Sequence, residues 1–173
     1  MRASLKLFPG SACEAVAEVA ANIERDKHRL TLQYVAGGRI GHLWLPRAAT
    51  SKRADNLWQH TCFELFVGGG GEPYYEFNFS PSAEWAAYAF TRYREGMRNL
   101  EIAAPLIKVQ LNESRFELNV ALDAAALPQG AWRVGLSSVI EDTNGRKSYW
   151  ALAHASGKPD FHNPGSFILE LPA

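Results

Sequence analysis

Cysteine is scarce: Cys13 and Cys62 are the only two in 173 residues. That is too few for a disulfide framework, and a cytosolic pair stays reduced. Long apolar runs are missing as well. No stretch is apolar enough to span a bilayer, and MRASLKLFPGSACEAV at the N-terminus carries one early arginine with no sustained apolar segment behind it. Neither a membrane span nor an export signal is expected, which makes the cytoplasm the default location. An excess of charge is the third absence. Eighteen Lys and Arg balance eighteen Asp and Glu, so the field that draws proteins non-specifically onto nucleic acid or anionic membranes is lacking. Repeats and low-complexity blocks are absent apart from GGGG at Gly68 to Gly71. A chain of this length can bury a core without metals or disulfides, and a single domain over residues 1–173 is expected.

What is present is alternation. In LWQHTCFELFV, Leu57, Thr61, Phe63, Leu65 and Val67 share one face, and in PYYEFNFSP so do Tyr75, Phe77 and Phe79. The glycines between them read as a hairpin loop. A turn centred near Gly70 sets Phe63 opposite Phe77 and Leu65 opposite Tyr75, an aromatic pairing that stabilises sheets. The same register sets Glu64 opposite Glu76 and Cys62 opposite Asn78, with His60 near Ser80, as a polar strip on the other face. PLIKVQL, RFELNVAL, AWRVGLSSVI, SYWALAH, SFILEL, RLTLQYV and GHLWLP also read as strands. EAVAEVAANIER and EWAAYAFTRYREGM are rich in helix formers but alternate, and are read as strands too. The predicted core is Phe63, Leu65, Phe77, Phe79, Phe116, Leu118, Val120, Val134 and Leu136, joined by Trp44 and Trp132. About ten short strands separated by Gly, Pro, Asn and Asp clusters predict an all-β, two-sheet antiparallel sandwich.

The succession LWQHTCFELFV, YYEFNFSPSAEWAAYAFTRYREGM and YWALAHASGKPDFHNPGSF resembles the bacterial DOMON-like group, which is related to the family-nine carbohydrate-binding modules. The resemblance covers most of the chain and is strongest from Trp58 to Met97 and from Tyr149 to His162. It implies a β-sandwich of jelly-roll type with a ligand site on its open face or at its loops. Relatives bind either sugars or haem.

Opposed carboxylates at Glu64 and Glu76 repel unless a cation, a proton, a basic neighbour or solvent relieves them. With His60 and Asn78 they form a hydrogen-bonding strip suited to sugar hydroxyls, or else a solvated sheet face helped by Arg92 or Arg94. Zinc on His60, Cys62 and Glu64 is chemically possible, but the spacings of dedicated zinc sites are absent. A Cys62 nucleophile with His60 fails on distance, since alternate strand residues lie roughly 7 Å apart. Trp58 and Trp150 flank the motifs and are candidate stacking platforms. The long connection HASGKPDFHNPGSF carries His154, Lys158, Asp160 and His162, which contact ligand or anchor the loop. Arg94, Glu95 and Met97 in YREGMRN are expected to form an ion-paired turn held by Gly96, or Arg94 faces the ligand. Haem would need Met97 with His154 or His162 as axial pair and has no Cys-x-x-Cys-His attachment. Calcium at Glu141, Asp142 and Asn144 competes with a hairpin turn on Asn144-Gly145. The reading is a non-catalytic module for a carbohydrate or other small polar ligand, without cofactor, nucleic acid or membrane. The alternatives are a haem electron-transfer domain or a small glycoside-processing enzyme using Glu64 and Glu76.

Overall fold

The regular structure of a computed structural model, which describes residues 1–11 and 13–173, is almost wholly strand, with burial alternating cleanly along Arg29–Gly38 and Arg115–Asp123. The strands are β1 (Arg2–Leu7), β2 (Val16–Asp26), β3 (Arg29–Gly38), β4 (Cys62–Gly68), β5 (Tyr74–Phe79) and β6 (Trp85–Phe90). They continue as β7 (Arg98–Asn99), β8 (Leu106–Leu111), β9 (Arg115–Asp123), β10 (Trp132–Glu141), β11 (Lys147–Ala151) and β12 (Leu169–Leu171). Helix among the described residues is confined to three single 3-10 turns, at Ile40–His42, Leu57–Gln59 and Pro164–Ser166.

All strand pairs are antiparallel, in the order β7-β6-β5-β4-β10-β11-β1-β2-β3-β9-β8, with β12 paired to the start of β10. One short strand joins the two halves of this path. Arg2 to Leu5 of β1 pair with β2, while Lys6 and Leu7 pair with β11. The sheet curls, and the inner faces of its halves meet in one core. Phe63 of β4 stacks on Phe116 of β9 at 5.4 Å and tilts against Tyr34 of β3 at 5.1 Å. The Tyr34 hydroxyl is fully buried there and donates 2.5 Å to the Glu64 carbonyl, which meets its hydrogen-bonding need inside the apolar layer. Trp132 closes one end: its indole N–H donates to the Pro128 carbonyl at 2.8 Å and the Arg25 guanidinium lies 3.5 Å over its ring.

The two segments that combine helix formers with alternation give strands β2 and β6, whose β-branched and aromatic residues suit a pleated sheet. Strand β6 ends at Phe90, however, and residues 91–97 form a turn closed by the Arg92–Glu95 ion pair instead of continuing the strand. All nine residues predicted as core, and Trp132, are buried in the main cluster. Four further details differ. Hairpin β4–β5 pairs Phe63 with Phe79 and Glu64 with Asn78, a two-residue slip that leaves each residue on its expected face and sets Glu76 opposite Phe66 instead of Glu64. Strand β4 begins only at Cys62, since Leu57–Gln59 form a 3-10 turn after Asn56 in the left-handed region (φ +62°). GHLWLP is no strand: its first residues close a 3-10 turn, and Trp44 is half-buried against the His60 ring at 4.7 Å. Strand β1, which alternates too weakly to be predicted, supplies the join.

The stacked Phe63 ties one half of the sheet to the other, so Phe63→Ala should destabilise the protein by about 3 to 5 kcal/mol through lost transfer energy and a cavity. Urea unfolding is the measurement; a loss below about 1 kcal/mol would mean the halves do not depend on this contact.

Candidate functional site

The face of β4 that points away from the core carries Cys62, Glu64 and Phe66, and the same face of β5 carries Tyr74, Glu76 and Asn78. The sequence reads this face as a polar strip or a solvated surface. Instead it is covered. Glu64, Glu76 and Asn78 are only 3%, 6% and 2% exposed, because the segment bearing Phe161, His162 and Phe167 folds back across β4, β5 and β10, and Leu57 of the 3-10 turn before β4 packs on the same layer. Phe167 of this roof stacks on Phe66 at 5.6 Å, and Tyr74 stacks on Phe90 of β6 at 4.7 Å. His162 sits edge-on to Phe66 and Phe90, 5.2 Å from each. Gly135 of β10, beside Phe66, makes the close approach possible: a Cβ there would lie 2.7 Å from the Phe167 ring. Asn163 fixes the turn of the roof, its side chain accepting from the Gly165 N–H at 2.9 Å.

Beneath and through the roof runs one polar network. Ser137 donates to the Glu64 carboxyl at 3.2 Å, and Asn78 donates to Glu76 Oε1 at 2.7 Å. His162 Nε2 lies 3.7 Å from Glu76 Oε2, and its Nδ1 is 2.8 Å from the Tyr74 hydroxyl. That hydroxyl also accepts the Arg94 backbone N–H at 3.1 Å. The Arg94 guanidinium and the Tyr93 hydroxyl both donate to Asp160, at 2.7 and 2.5 Å. Arg94 is held there by a left-handed backbone (φ +56°) in a turn that Gly96 completes at φ +64°, where a Cβ would meet Thr91 Oγ1 at 2.2 Å.

Burial and the neighbouring Glu76 push the Glu64 carboxyl up to about 8, against the weaker opposing effects of Ser137 and Arg94. Burial also raises Glu76, with Asn78 and Arg94 acting against it. At neutral pH the pair therefore keeps a proton. Burial and the charge of Arg94 hold His162 down to about 4, so the imidazole is neutral and its contact with Glu76 is no ion pair. Burial raises Asp160, but its bonds to Tyr93 and Arg94 outweigh that and lower it overall. Burial pushes the Cys62 thiol well up, and Cys62 Sγ rests 3.7 Å from Asn78 Oδ1 as a packed, protonated group.

Of the residues predicted from sequence, Glu64, Glu76, Asn78, Arg94, Asp160 and His162 come together in this network. The others do not join it. Trp150 points into the main core at 4% exposure, its indole N–H on Ser148, because it lies on the inner face of β11 and offers no outward platform. Trp58 is exposed on its 3-10 turn. His60 precedes the strand and pairs with Glu141 at 2.7 Å, away from the buried Cys62 and Glu64. Asp142 instead caps the β10–β11 turn, accepting from the backbone N–H of Asn144 and Arg146 at 2.9 Å each. His154 bonds the Lys6 carbonyl at 2.7 Å and meets Phe8 edge-on, anchoring the chain after β11, while Met97 is exposed on its turn. No group of three or more metal-ligating side chains occurs among the described residues.

Above Tyr74 the network opens to solvent. A pocket of about 330 Å³ is lined by Gly68, Gly70, Gly71 and Glu72, by Tyr74, by Arg92, Tyr93 and Glu95, and by Arg133, Pro164 and Phe167. Tyr93 is 47% exposed, and Arg133 makes no side-chain hydrogen bond or ion pair among the described residues. Sequence reasoning counts Tyr74 and Tyr93 among the rings available as platforms but prefers Trp58 and Trp150, and it missed Phe167 and Arg133. The only signal for them was the glycine run, whose lack of side chains leaves the pocket its space.

No protein-family model matches the sequence, and no curated protein does. Solved structures do. A candidate carbohydrate-binding protein from Bacteroides uniformis superposes with a TM-score of 0.69 at 16% identity, over 99% of this chain and 85% of that one. A family-nine carbohydrate-binding module from Caldicellulosiruptor kristjanssonii in complex with cellotriose gives 0.55 at 12% identity, over 97% of this chain and 80% of that one. The same organism's module in complex with glucose gives 0.51 at 12%, over 90% and 75%. At such identities the likeness is one of fold.

Native Glu64 holds a proton that the unfolded chain releases, so stability should fall as pH rises from the ordinary carboxylate range to about 8. His162 acts oppositely, adding stability as pH rises from about 4 to 6.5. Above that window only the carboxyl effect remains, on the order of 2 kcal/mol lost between pH 6.5 and 8. Urea unfolding at those two pH values should show the loss in the wild type and not in Glu64→Gln; an equal loss in both would place its origin elsewhere.

Proposed function

We propose that the chain is a non-catalytic carbohydrate-binding module of DOMON-like type, a two-layer jelly-roll sandwich working in the cytoplasm. In this reading a sugar or similarly small polar ligand sits in the pocket of Tyr74, Tyr93 and Phe167. The observation that carries it is an open pocket whose aromatic and charged walls are fixed from below. Its volume of about 330 Å³ lies at the lower end of small-molecule sites. Tyr93 offers a flat surface for the C–H face of a pyranose, and Arg133, Arg92, Glu95 and Glu72 offer donors and acceptors for its hydroxyls. Binding to preset walls costs little ordering entropy, because the Asp160 bonds already hold Tyr93 and Arg94. The fold shared with modules seen in complex with glucose and cellotriose supports the same ligand class.

Buried carboxyls argue against the enzyme alternative. A glycosidase needs one acid and one base or nucleophile flanking the scissile bond, whereas Glu64 and Glu76 lie under the roof with no route to a substrate. They act here as scaffold.

Glucose and cellotriose in calorimetry, preceded by a glycan array, test the proposal. Tyr93→Ala should weaken any hit about two- to tenfold, the value of one aromatic contact, and Arg133→Ala should alter preference among sugars that differ in hydroxyl orientation. Leu111→Ala, at an exposed site on β8, should change nothing. Absence of any hit, or hits indifferent to both pocket variants, would overturn the pocket as a sugar site.

A further inference from the structure

The outer face of β2, β3, β9 and β8 belongs to a different half of the curled sheet from the pocket at Tyr93, and it carries two adjoining depressions. Strand register lays two rows across it. Asn22, Gln33, Asn119 and Lys108 form one, and Glu24, Thr31, Ala121 and Leu106 form the next. Together they line a depression of about 480 Å³. A second depression of about 420 Å³, running on to His28, Arg29 and Asp123, shares Leu106 and Ala121 with the first. The two make one groove that follows β9 from Asn119 to Asp123, roughly 13 Å at the rise of a strand.

Its chemistry is specific in kind. Asn22 donates to Gln33 at 3.0 Å and Gln33 donates to Glu117 at 3.1 Å, with Glu117 in turn held by Arg115, so the amides are fixed in orientation. The Asn22 carbonyl oxygen is left free to accept. Thr31, Lys108 and Asn119 make no side-chain hydrogen bond among the described residues. Donors and acceptors thus lie side by side, as a hydroxyl requires, since it both donates and accepts. Charges cancel along the groove, with Lys108 against Glu24 and Arg29 against Asp123. A polyanion finds no field there, and the lone His28 imidazole at one end is the single ring lining either depression, too little for successive nucleobases to stack upon. Leu106, 57% exposed, and Ala121 supply an apolar saddle between the polar ends, matching the alternation of C–H and O–H on a sugar chain. An extended peptide would pair along the backbone of a sheet edge, whereas this groove lies on the face.

We propose that this groove binds a linear, uncharged oligosaccharide as a second site. The proposal shares the ligand class of the function put forward above but uses none of that site's residues. The test uses the full chain with cellohexaose, xylohexaose and maltohexaose as probes, in calorimetry, on the wild type, Tyr93→Ala, and Asn119→Ala combined with Lys108→Ala. Thermal unfolding confirms that each variant folds. At least one hexasaccharide should bind the Tyr93→Ala protein, and adding Asn119→Ala and Lys108→Ala should weaken that binding about tenfold or more. Binding abolished by Tyr93→Ala alone would overturn the groove and leave the pocket reading intact. Binding that persists when Asn119, Lys108 and Tyr93 are all replaced, or that a hexaserine peptide competes away equally well, would also overturn it, as would no binding of any hexasaccharide.

Discussion

Two carboxyl groups buried on neighbouring strands, Glu64 and Glu76, constrain everything built above them. An ionised carboxylate in an apolar layer costs several kcal/mol unless it is paired or protonated. Here both remedies operate. One proton stays on the pair, Ser137 and Asn78 bond the oxygens, and Arg94 adds a positive charge from the edge. A proton held this way is stable only while water is kept out, so the roof of Phe161, His162 and Phe167 and the acid pair require one another. The neutrality of His162 follows from the same enclosure: an imidazolium there would share its space with Arg94 and lose its hydration, and burial already keeps it from forming.

Above the acid pair, across a 3.7 Å gap from Glu76, hydrogen bonding resumes at His162 and runs outward to the walls of the pocket. Tyr74 is the hinge between the two, since its hydroxyl meets His162 below and the Arg94 backbone above, while its ring is locked on Phe90. Arg94 holds a left-handed backbone, an unfavourable choice for a residue with a side chain. The Tyr74 hydroxyl and the Asp160 carboxylate account for its persistence, one taking the N–H and the other the guanidinium. An exposed turn at the pocket is thereby braced against the interior of the sheet, which is the usual means of giving a loop-borne site fixed geometry.

Much of this was legible in the sequence, and the remainder was hidden for identifiable reasons. Strand identity, the core face and the grouping of Glu64, Glu76 and Asn78 follow from parity alone, and parity survives a two-residue slip. The slip itself was not readable, because a five-residue loop, Gly69 to Pro73, closes the hairpin as readily as the shorter turn that a centre at Gly70 implies. Trp150 was read outward because a tryptophan beside a motif suggests a platform; its neighbours in β11 settle its face only once that strand's pairing with β10 is known. Burial of the second face was invisible for a deeper reason. It depends on a segment some ninety residues further along, and on Gly135, whose missing Cβ has no periodicity to betray it.

Strand β4 makes the general point. All seven of its residues are buried, on both faces, yet only one face is apolar. A strand covered on both sides ordinarily reads as a continuous apolar run, so Glu64 within such a run argues from sequence for exposure. The inference reverses once the polar residue brings its own partners: Asn78 and Ser137 on the adjoining strands, and Glu76 two residues removed in register, are the complement that makes burial tolerable. Polar residues clustered on one face of three neighbouring strands are therefore as consistent with a buried, hydrogen-bonded layer as with a wet surface. What separates the two is whether some other part of the chain carries aromatic rings enough to cover them. In this chain Phe161, His162 and Phe167 sit within seven residues of one another, on a connection long enough to reach back across the sheet.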